Sequence, residues 1–281
     1  MGPYHTMIDD IEATLNRMLA FPSGVSSLDA AIKLKNIALA LELAEQIPLL
    51  TEKCMSLCVE LAENTPPQVA TVHSVLSLLA RFCMREENRG LATRFGVFSL
   101  CVLILQDHKN LPVDTIFAVF DLISTLCMND GKVRRMLRPS IPYIIEIMNE
   151  STSSLQLAFG GAVALATLTM LDADNATLAV ERGSVQLLIS SFIRAYERKK
   201  EIGCQHICHV SRCKKEEEQQ LCEKVMRWSR DALQKLVQSP SHAVDEKLEE
   251  ADFGKYGSRV EVDELKWMLK FQRRKVGATH P

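Results

Sequence analysis

Three stretches decide the fold: GVFSL at residues 96–100, SIPYI at 140–144 and GSVQL at 183–187. Their starts are separated by 44 and then 43 residues, and each opens an apolar run of about ten residues. A short polar segment precedes each run, and before that segment lies a longer apolar stretch ending in ARFCM, STLCM or ATLTM. The sequence therefore predicts a unit of about 43 residues, built from a short, a medium and a longer helix.

Composition supports an all-α fold. The 281 residues are 47% apolar and 6% aromatic, and the apolar positions recur at three- and four-residue spacing almost throughout. With 33 Lys+Arg against 35 Asp+Glu, the chain is too balanced for a uniformly basic nucleic-acid binder, so no nucleic-acid partner is expected. Nine cysteines, an odd count at scattered spacing, together with the lack of a signal-peptide pattern, indicate reduced thiols in the cytoplasm.

Glycine, proline and serine mark the turns within the unit. Gly96 and Gly183 are predicted at the bend between the short and medium helices, where glycine adopts a positive φ at little cost. Thr65-Pro66-Pro67 and Asn110-Leu111-Pro112 separate a medium from a longer helix, and residues 151–154 do the same in the next unit. One such unit cannot bury its apolar face alone, so stacked neighbours must share a core.

The passages ENRGLATRFGV (87–97) and NATLAVERGSV (175–185), with the period and the helix order, resemble armadillo repeats over roughly residues 29–239. The resemblance implies a right-handed α-solenoid of four to five armadillo-like repeats with capping helices at both ends. HEAT repeats, with two helices and a similar period, are the nearest rival. The short extra helix before each glycine favours armadillo.

One branch of that family, the nuclear-import proteins, carries a Trp and an Asn four residues later on each third helix, where they clamp an extended peptide. The corresponding helices here contain SVLSLLARF, FAVFDLIST and AVALATLTM, which have neither residue. The nearest approach is Trp228 followed by Asp231. The resemblance therefore does not imply recognition of basic nuclear-localisation peptides by that mechanism.

Three regions are expected along the chain. Residues 1–25 form an N-terminal cap helix with an apolar stripe at Ile8, Ile11, Leu15, Met18 and Leu19. Residues 26–239 form the repeats, and residues 240–281 form a C-terminal tail with a terminal amphipathic helix. In the last repeat, the charged residues 194–220 are either an elongated helix pair or an inserted loop.

That insert holds the one group of residues with metal-ligating chemistry. Thiolate and imidazole ligands suit tetrahedral zinc, but the spacing contains no Cys-x-x-Cys knuckle. We therefore prefer a polar helix or loop with reduced thiols, and keep a zinc site as the alternative. The ligands would be Cys204, His206, Cys208, His209 and Cys213.

The tail divides by charge. Residues 241–264 contain eight acids, whereas residues 265–281 contain five Lys or Arg and no acid. The segment VDELKWMLKFQRRK within it is expected to cap the end of the solenoid. The alternative is a basic amphipathic helix that contacts a membrane or a partner.

The sequence lacks the usual phosphate-loop, nucleophile-elbow and zinc-protease motifs, so neither enzymatic activity nor a cofactor is expected. We interpret the chain as a cytoplasmic interaction scaffold or adaptor that binds a partner helix or extended peptide along the concave surface of its third helices. A membrane-associated or zinc-containing regulatory adaptor, peripheral at a membrane or cytoskeletal structure, is the alternative. The predicted groove residues are Ser77, Arg81, Ser124, Thr125, Ala166 and Thr167.

Overall fold

The computed structural model describes residues 3–20, 25–42, 49–64, 69–204, 212–238 and Leu265. These residues form thirteen α-helices, and no strand occurs among them. The all-α prediction is therefore confirmed. The chain comprises two compact units, Met1–Ser140 and Ile141–Pro281, so the boundary follows the short first helix of a repeat.

The first unit contains eight helices in two packed layers. Helix α1 packs against α3, and α3 against α6, while α2 packs against α4, and α4 against α7. The second layer therefore consists of the longer, third helices of successive repeats. The helices are α1 (Pro3–Ala20), α2 (Val25–Glu42), α3 (Glu52–Asn64), α4 (Val69–Phe82), α5 (Glu86–Arg94), α6 (Val97–Gln106), α7 (Val113–Leu126) and α8 (Gly131–Met136).

Hydrophobic periodicity explains the packing of α1. Ile8, Ile11, Leu15 and Met18 are buried and Leu19 is half-buried, as the predicted stripe requires. This face of α1 packs against α2 and α3. Within the first unit, α1 therefore occupies the layer of second helices, beside α3.

The second unit contains five helices: α9 (Ile141–Glu150), α10 (Leu155–Thr169), α11 (Ala173–Glu181), α12 (Ser184–Cys204) and α13 (Arg212–Gln238). Its third helices α10 and α13 are adjacent, and α12 packs along α13. Ser154 precedes α10 as its N-cap, and its hydroxyl accepts from the Leu157 N–H at 3.2 Å.

The described part of the charged insert is helical, as expected for the elongated helix pair: residues 194–204 extend α12 and residues 212–220 begin α13, while residues 205–211 lie outside the described residues. Helix α12 has 21 residues and α13 has 27, whereas α9 and α10 have 10 and 15. Arg198 pairs with Glu218 at 2.6 Å, and Lys199 with Glu223 at 2.7 Å, so two exposed ion pairs bridge the extensions. Beneath these ion pairs, a small apolar cluster is buried: Ala158, Ala195, Ile202, Cys222 and Val225.

Two predicted glycine roles are confirmed. Gly96 and Gly183 have φ of +74° and +86° at the bend between a first and a second helix. A third glycine, Gly161, permits close helix packing instead. A Cβ at this position would overlap the Sδ of Met148 on α9 and lie 2.6 Å from its Cγ.

Several predicted features lie outside the described residues. The side chains of the proposed zinc ligands Cys204, His206, Cys208, His209 and Cys213 are among them. So is the tail from residue 240, except for Leu265, which is helical and buried. The zinc site and the membrane-binding helix therefore stay predictions.

Candidate functional site

The third helices of the first unit present a half-exposed stripe to solvent. On α4 the stripe follows the spacing i, i+4, i+8, and α7 carries a matching stripe alongside. Two contacts fix the register between them. The Nδ1 of His73 lies 3.1 Å from the carbonyl oxygen of Asp114, and Arg81 Nη2 lies 3.6 Å from Asp121 Oδ2. We call this surface the α4–α7 face: His73, Ser77, Arg81, Asp114, Phe117 and Asp121.

The ion pair on this face is open to solvent. The side chains of Arg81 and Asp121 are 28% and 34% exposed, so water screens their attraction. Such a pair contributes little to folding, and either charge can exchange its partner for a group on a bound ligand.

The second unit carries an equivalent surface on its own third helices. The Nζ of Lys224 lies 5.8 Å from the centre of the Phe159 ring, and Met170 and Lys235 line one cleft. Both pairs are 65 positions apart in the sequence, so α10 and α13 run parallel in constant register. We call this surface the α10–α13 face: Phe159, Val163 and Thr167 on α10 with Met170 at its C-cap, and Lys224, Trp228, Asp231 and Lys235 on α13.

The structure divides the six predicted groove residues. Ser77, Arg81 and Thr167 are half-buried and lie on the two faces, and their contact with a partner stays a prediction. Ser124, Thr125 and Ala166 are buried, with exposures of 6%, 7% and 3%, so we leave them out of the candidate surface. The hydroxyls of Ser124 and Thr125 donate to the carbonyl oxygens four residues earlier in α7.

Buried polar side chains join each third helix to the next short helix, a role that sequence reasoning missed. Asn88 and Asn175, at aligned positions of two short helices, are both fully buried. Asn88 Nδ2 donates to the Phe82 carbonyl at 2.9 Å, and Asn175 Nδ2 donates to the Leu168 carbonyl at 2.8 Å. Lys132, at the aligned position of the intermediate repeat, is exposed instead.

The intermediate repeat uses an arginine for the same purpose. Arg134 is 7% exposed, and its Nη1 donates to the carbonyl oxygen of Cys127 at 3.1 Å. All three side chains therefore satisfy a carbonyl near the end of a third helix, where intrahelical donors run out. The signal in the sequence is a long polar side chain six or seven residues after that carbonyl.

The described cysteine thiols lie in the core. Burial raises the pKa of Cys83 to about 12, and burial likewise raises the pKa of Cys101 and Cys127. A hydrogen bond with Cys54, followed by burial, raises the pKa of Cys58. Thiols that stay protonated and inaccessible are poor nucleophiles, so these four behave as small apolar side chains.

A helix that crosses a membrane must be both long and predominantly apolar. Among the described helices, none by itself is both long and apolar enough to span one. One pair, Glu86–Arg94 and Val97–Gln106, meets the length and composition test when taken together, with a bend of 69° between its members.

Comparison with known proteins defines the fold. No family model matches the sequence, and no curated protein matches it. Among solved structures, an engineered protein has a TM-score of 0.66 at 11% identity, covering 95% of this chain and 97% of its own. A designed armadillo repeat protein in complex with the peptide (KR)4 has a TM-score of 0.65 at 16% identity, with 95% and 99% covered.

A further structure, of computationally designed armadillo repeat proteins for modular peptide recognition, has a TM-score of 0.66 at 15% identity, with 93% and 99% covered. At this identity the likeness concerns the fold alone. The chain therefore has an armadillo-like, all-α solenoid fold, as the repeat passages predicted.

Proposed function

We propose that this protein is a non-catalytic interaction scaffold that binds a partner helix or an extended peptide on the exposed faces of its third helices. The observation that carries the proposal is the register of those faces. On both the α4–α7 face and the α10–α13 face, half-exposed side chains of two adjacent helices line up at helical spacing. Such rows match the spacing of side chains along a bound peptide or helix.

The fold supports this proposal, because designed proteins of the same fold were made for peptide recognition. A separate designed armadillo repeat protein is in complex with the basic peptide (KR)4. The third helices here lack the Trp and Asn ladder that the nuclear-import branch uses for such peptides, so we propose different contact chemistry.

The two faces differ in chemistry. The α4–α7 face is polar, with a cation and an anion at Arg81 and Asp121 and one aromatic ring at Phe117. Partner residues that contact such a face exchange water for charge-assisted hydrogen bonds, which favours specificity over affinity. The buried core of the interface must then come from a few apolar anchors.

The test uses affinity capture with charge-matched variants. Arg81→Glu changes the α4–α7 face, and Phe117→Asp removes its aromatic contact; Arg135→Glu makes the same charge change on the exposed surface of α8. Partners captured by the wild-type chain and by Arg135→Glu should be lost with Arg81→Glu and with Phe117→Asp, while circular dichroism shows all chains folded. Equal capture by the folded variants would remove this face from the proposal.

A further inference from the structure

A cleft opens between the carboxyl-terminal ends of α10 and α13. Its volume is about 410 Å³, and its lining includes Met170, Leu171, Lys235 and Gln238. A cleft of this size is within the range that holds a ligand group or a few side chains. It continues the α10–α13 face, because Met170 and Lys235 end the two stripes of that face.

Leu171 gives the cleft an apolar rim in an unfavourable conformation. Its side chain is 95% exposed, so no described part of the chain covers it. Its φ is +56°, in the left-handed region that a branched side chain rarely adopts. Glycine would fill this turn with less strain, and a polar residue would suit its exposure better.

The α13 side of the α10–α13 face carries positive charge, and Lys235 brings that charge to the cleft. Three cations and one anion lie along the same side of α13, which gives it an excess of two positive charges: Lys224, Arg227, Lys235 and Asp231. Among the described residues, neither Lys224 nor Lys235 forms a salt bridge, and Lys224 lies over the Phe159 ring. The carboxylate of Asp172, which also borders the cleft, accepts from the Asn175 N–H at 2.9 Å and caps α11.

From these observations we infer that the α10–α13 face binds an acidic amphipathic peptide segment of a protein partner. An apolar anchor of that segment occupies the cleft against Met170 and Leu171, and its carboxylates meet Lys235 and Lys224. Methionine suits such a contact, since its flexible thioether adapts to anchors of different shape. The inference rests on the proposed function, and names the partner chemistry for one of its two faces.

The contacts set the size of the expected effects. Loss of a buried leucine side chain at the interface should weaken binding about 10- to 100-fold. Reversal of one half-exposed lysine should weaken it about 3- to 10-fold at low salt, and less at high salt, because the attraction is screened.

The experiment titrates the full chain into two fluorescein-labelled helical peptides and follows fluorescence anisotropy. Both peptides are about 15 residues long with Leu at i, i+3, i+4 and i+7; one carries Glu and the other Lys at the flanking positions. We expect the Glu peptide to bind at least about tenfold more tightly at 50 mM salt, with the preference shrinking at roughly 500 mM.

Three variants localise the binding. Lys235→Glu should weaken binding of the Glu peptide and strengthen binding of the Lys peptide. Leu171→Gly should weaken binding of both peptides. Because glycine relieves the backbone strain at this position, the loss of binding cannot be attributed to a loss of folding. Lys214→Glu is the control, because it makes the same charge change on α13 about 30 Å away along the helix.

Each remaining outcome overturns the inference. It fails when the Lys peptide binds as tightly as the Glu peptide, when Lys214→Glu matches Lys235→Glu, or when neither peptide binds at about 1 mM. The proposed function is tested separately, by partner capture on the α4–α7 face. Tight binding of the Lys peptide that Leu171→Gly removes would leave that function standing and refute only the acidic preference.

Discussion

Asn88 should be among the polar side chains on which the first unit depends most. It is fully buried and bridges two backbone segments: Nδ2 donates to the Phe82 carbonyl at 2.9 Å, and Oδ1 accepts from the Leu50 N–H at 2.9 Å. One amide therefore ties the entry to α3 to the end of α4. The substitution Asn88→Ala removes both bonds and leaves nothing of similar polarity in their place.

The loss of these two hydrogen bonds differs in free-energy cost. The Phe82 carbonyl also accepts from the Arg85 N–H at 3.1 Å, so it keeps one hydrogen bond. The Leu50 N–H is left buried without its side-chain acceptor, which costs about 1–3 kcal/mol. When the lost hydrogen bond to the Phe82 carbonyl and the small cavity are added, we expect the free energy of unfolding to fall by about 2–4 kcal/mol.

Hydrogen exchange followed by mass spectrometry measures this loss locally. Exchange of the Leu50 amide and of α5 should accelerate about 30- to 900-fold in Asn88→Ala, which corresponds to that free energy. Asn175→Ala is the matched comparison in the second unit, because it removes the equivalent Nδ2 bond to a third-helix carbonyl. In that variant the accelerated exchange should appear at the end of α10 and in α11, and not at the Leu50 amide or in α5. A change below about 0.5 kcal/mol for Asn88→Ala would refute the bridging role.

Three further predictions concern packing, capping and pH. Gly161→Ala should destabilise the second unit by about 1–3 kcal/mol in urea unfolding, and by much less when Met148→Ala has already made room; equal losses in both backgrounds would contradict the proposed clash. Ser154→Ala should lose about 0.5–2 kcal/mol by the same measurement, whereas the exposed neighbouring Ser153→Ala should be nearly neutral. Because burial raises the pKa of Cys83 from 9.0 to about 12, its protonated thiol favours the folded state below pH 9, and that contribution fades as pH rises toward 12. Between pH 8 and 10, the free energy of unfolding of the wild type should fall by about 1.4 kcal/mol more than that of Cys83→Ala, as measured by urea unfolding at each pH. An identical pH dependence of the two chains would exclude this contribution of the Cys83 thiol.

Sequence periodicity predicted the helix order because each repeat must bury one apolar face, and Gly96 and Gly183 mark the same bend in two repeats. The faces of individual residues were harder to predict. A helix turns about 100° per residue, so an alignment error of a few positions moves a residue from solvent to core. A shift of 44 from Ser77 reaches Asp121, which lies on the α4–α7 face, whereas the predicted Ser124 is buried.

Other features depended on contacts that no local pattern encodes. Asn88 and Arg134 fill equivalent structural roles with different chemistry, so similarity between repeats does not reveal them. Conversely, Lys132 aligns with Asn88 and Asn175 in the sequence but has a different role, because its side chain is exposed. The register of α10 against α13 likewise joins residues 65 positions apart, far beyond the range of a helical pattern.

Leu171 illustrates a trade-off between stability and function. A non-glycine residue in the left-handed region costs about 1–2 kcal/mol, and the exposed leucine recovers none of it by burial in the described chain. Selection for thermal stability alone should therefore favour Leu171→Gly, whereas selection for partner binding should retain leucine. A variant library selected separately for thermal stability and for partner binding should enrich glycine at position 171 in the first selection and leucine in the second. Other surface residues that show the same divergence would mark further contact sites.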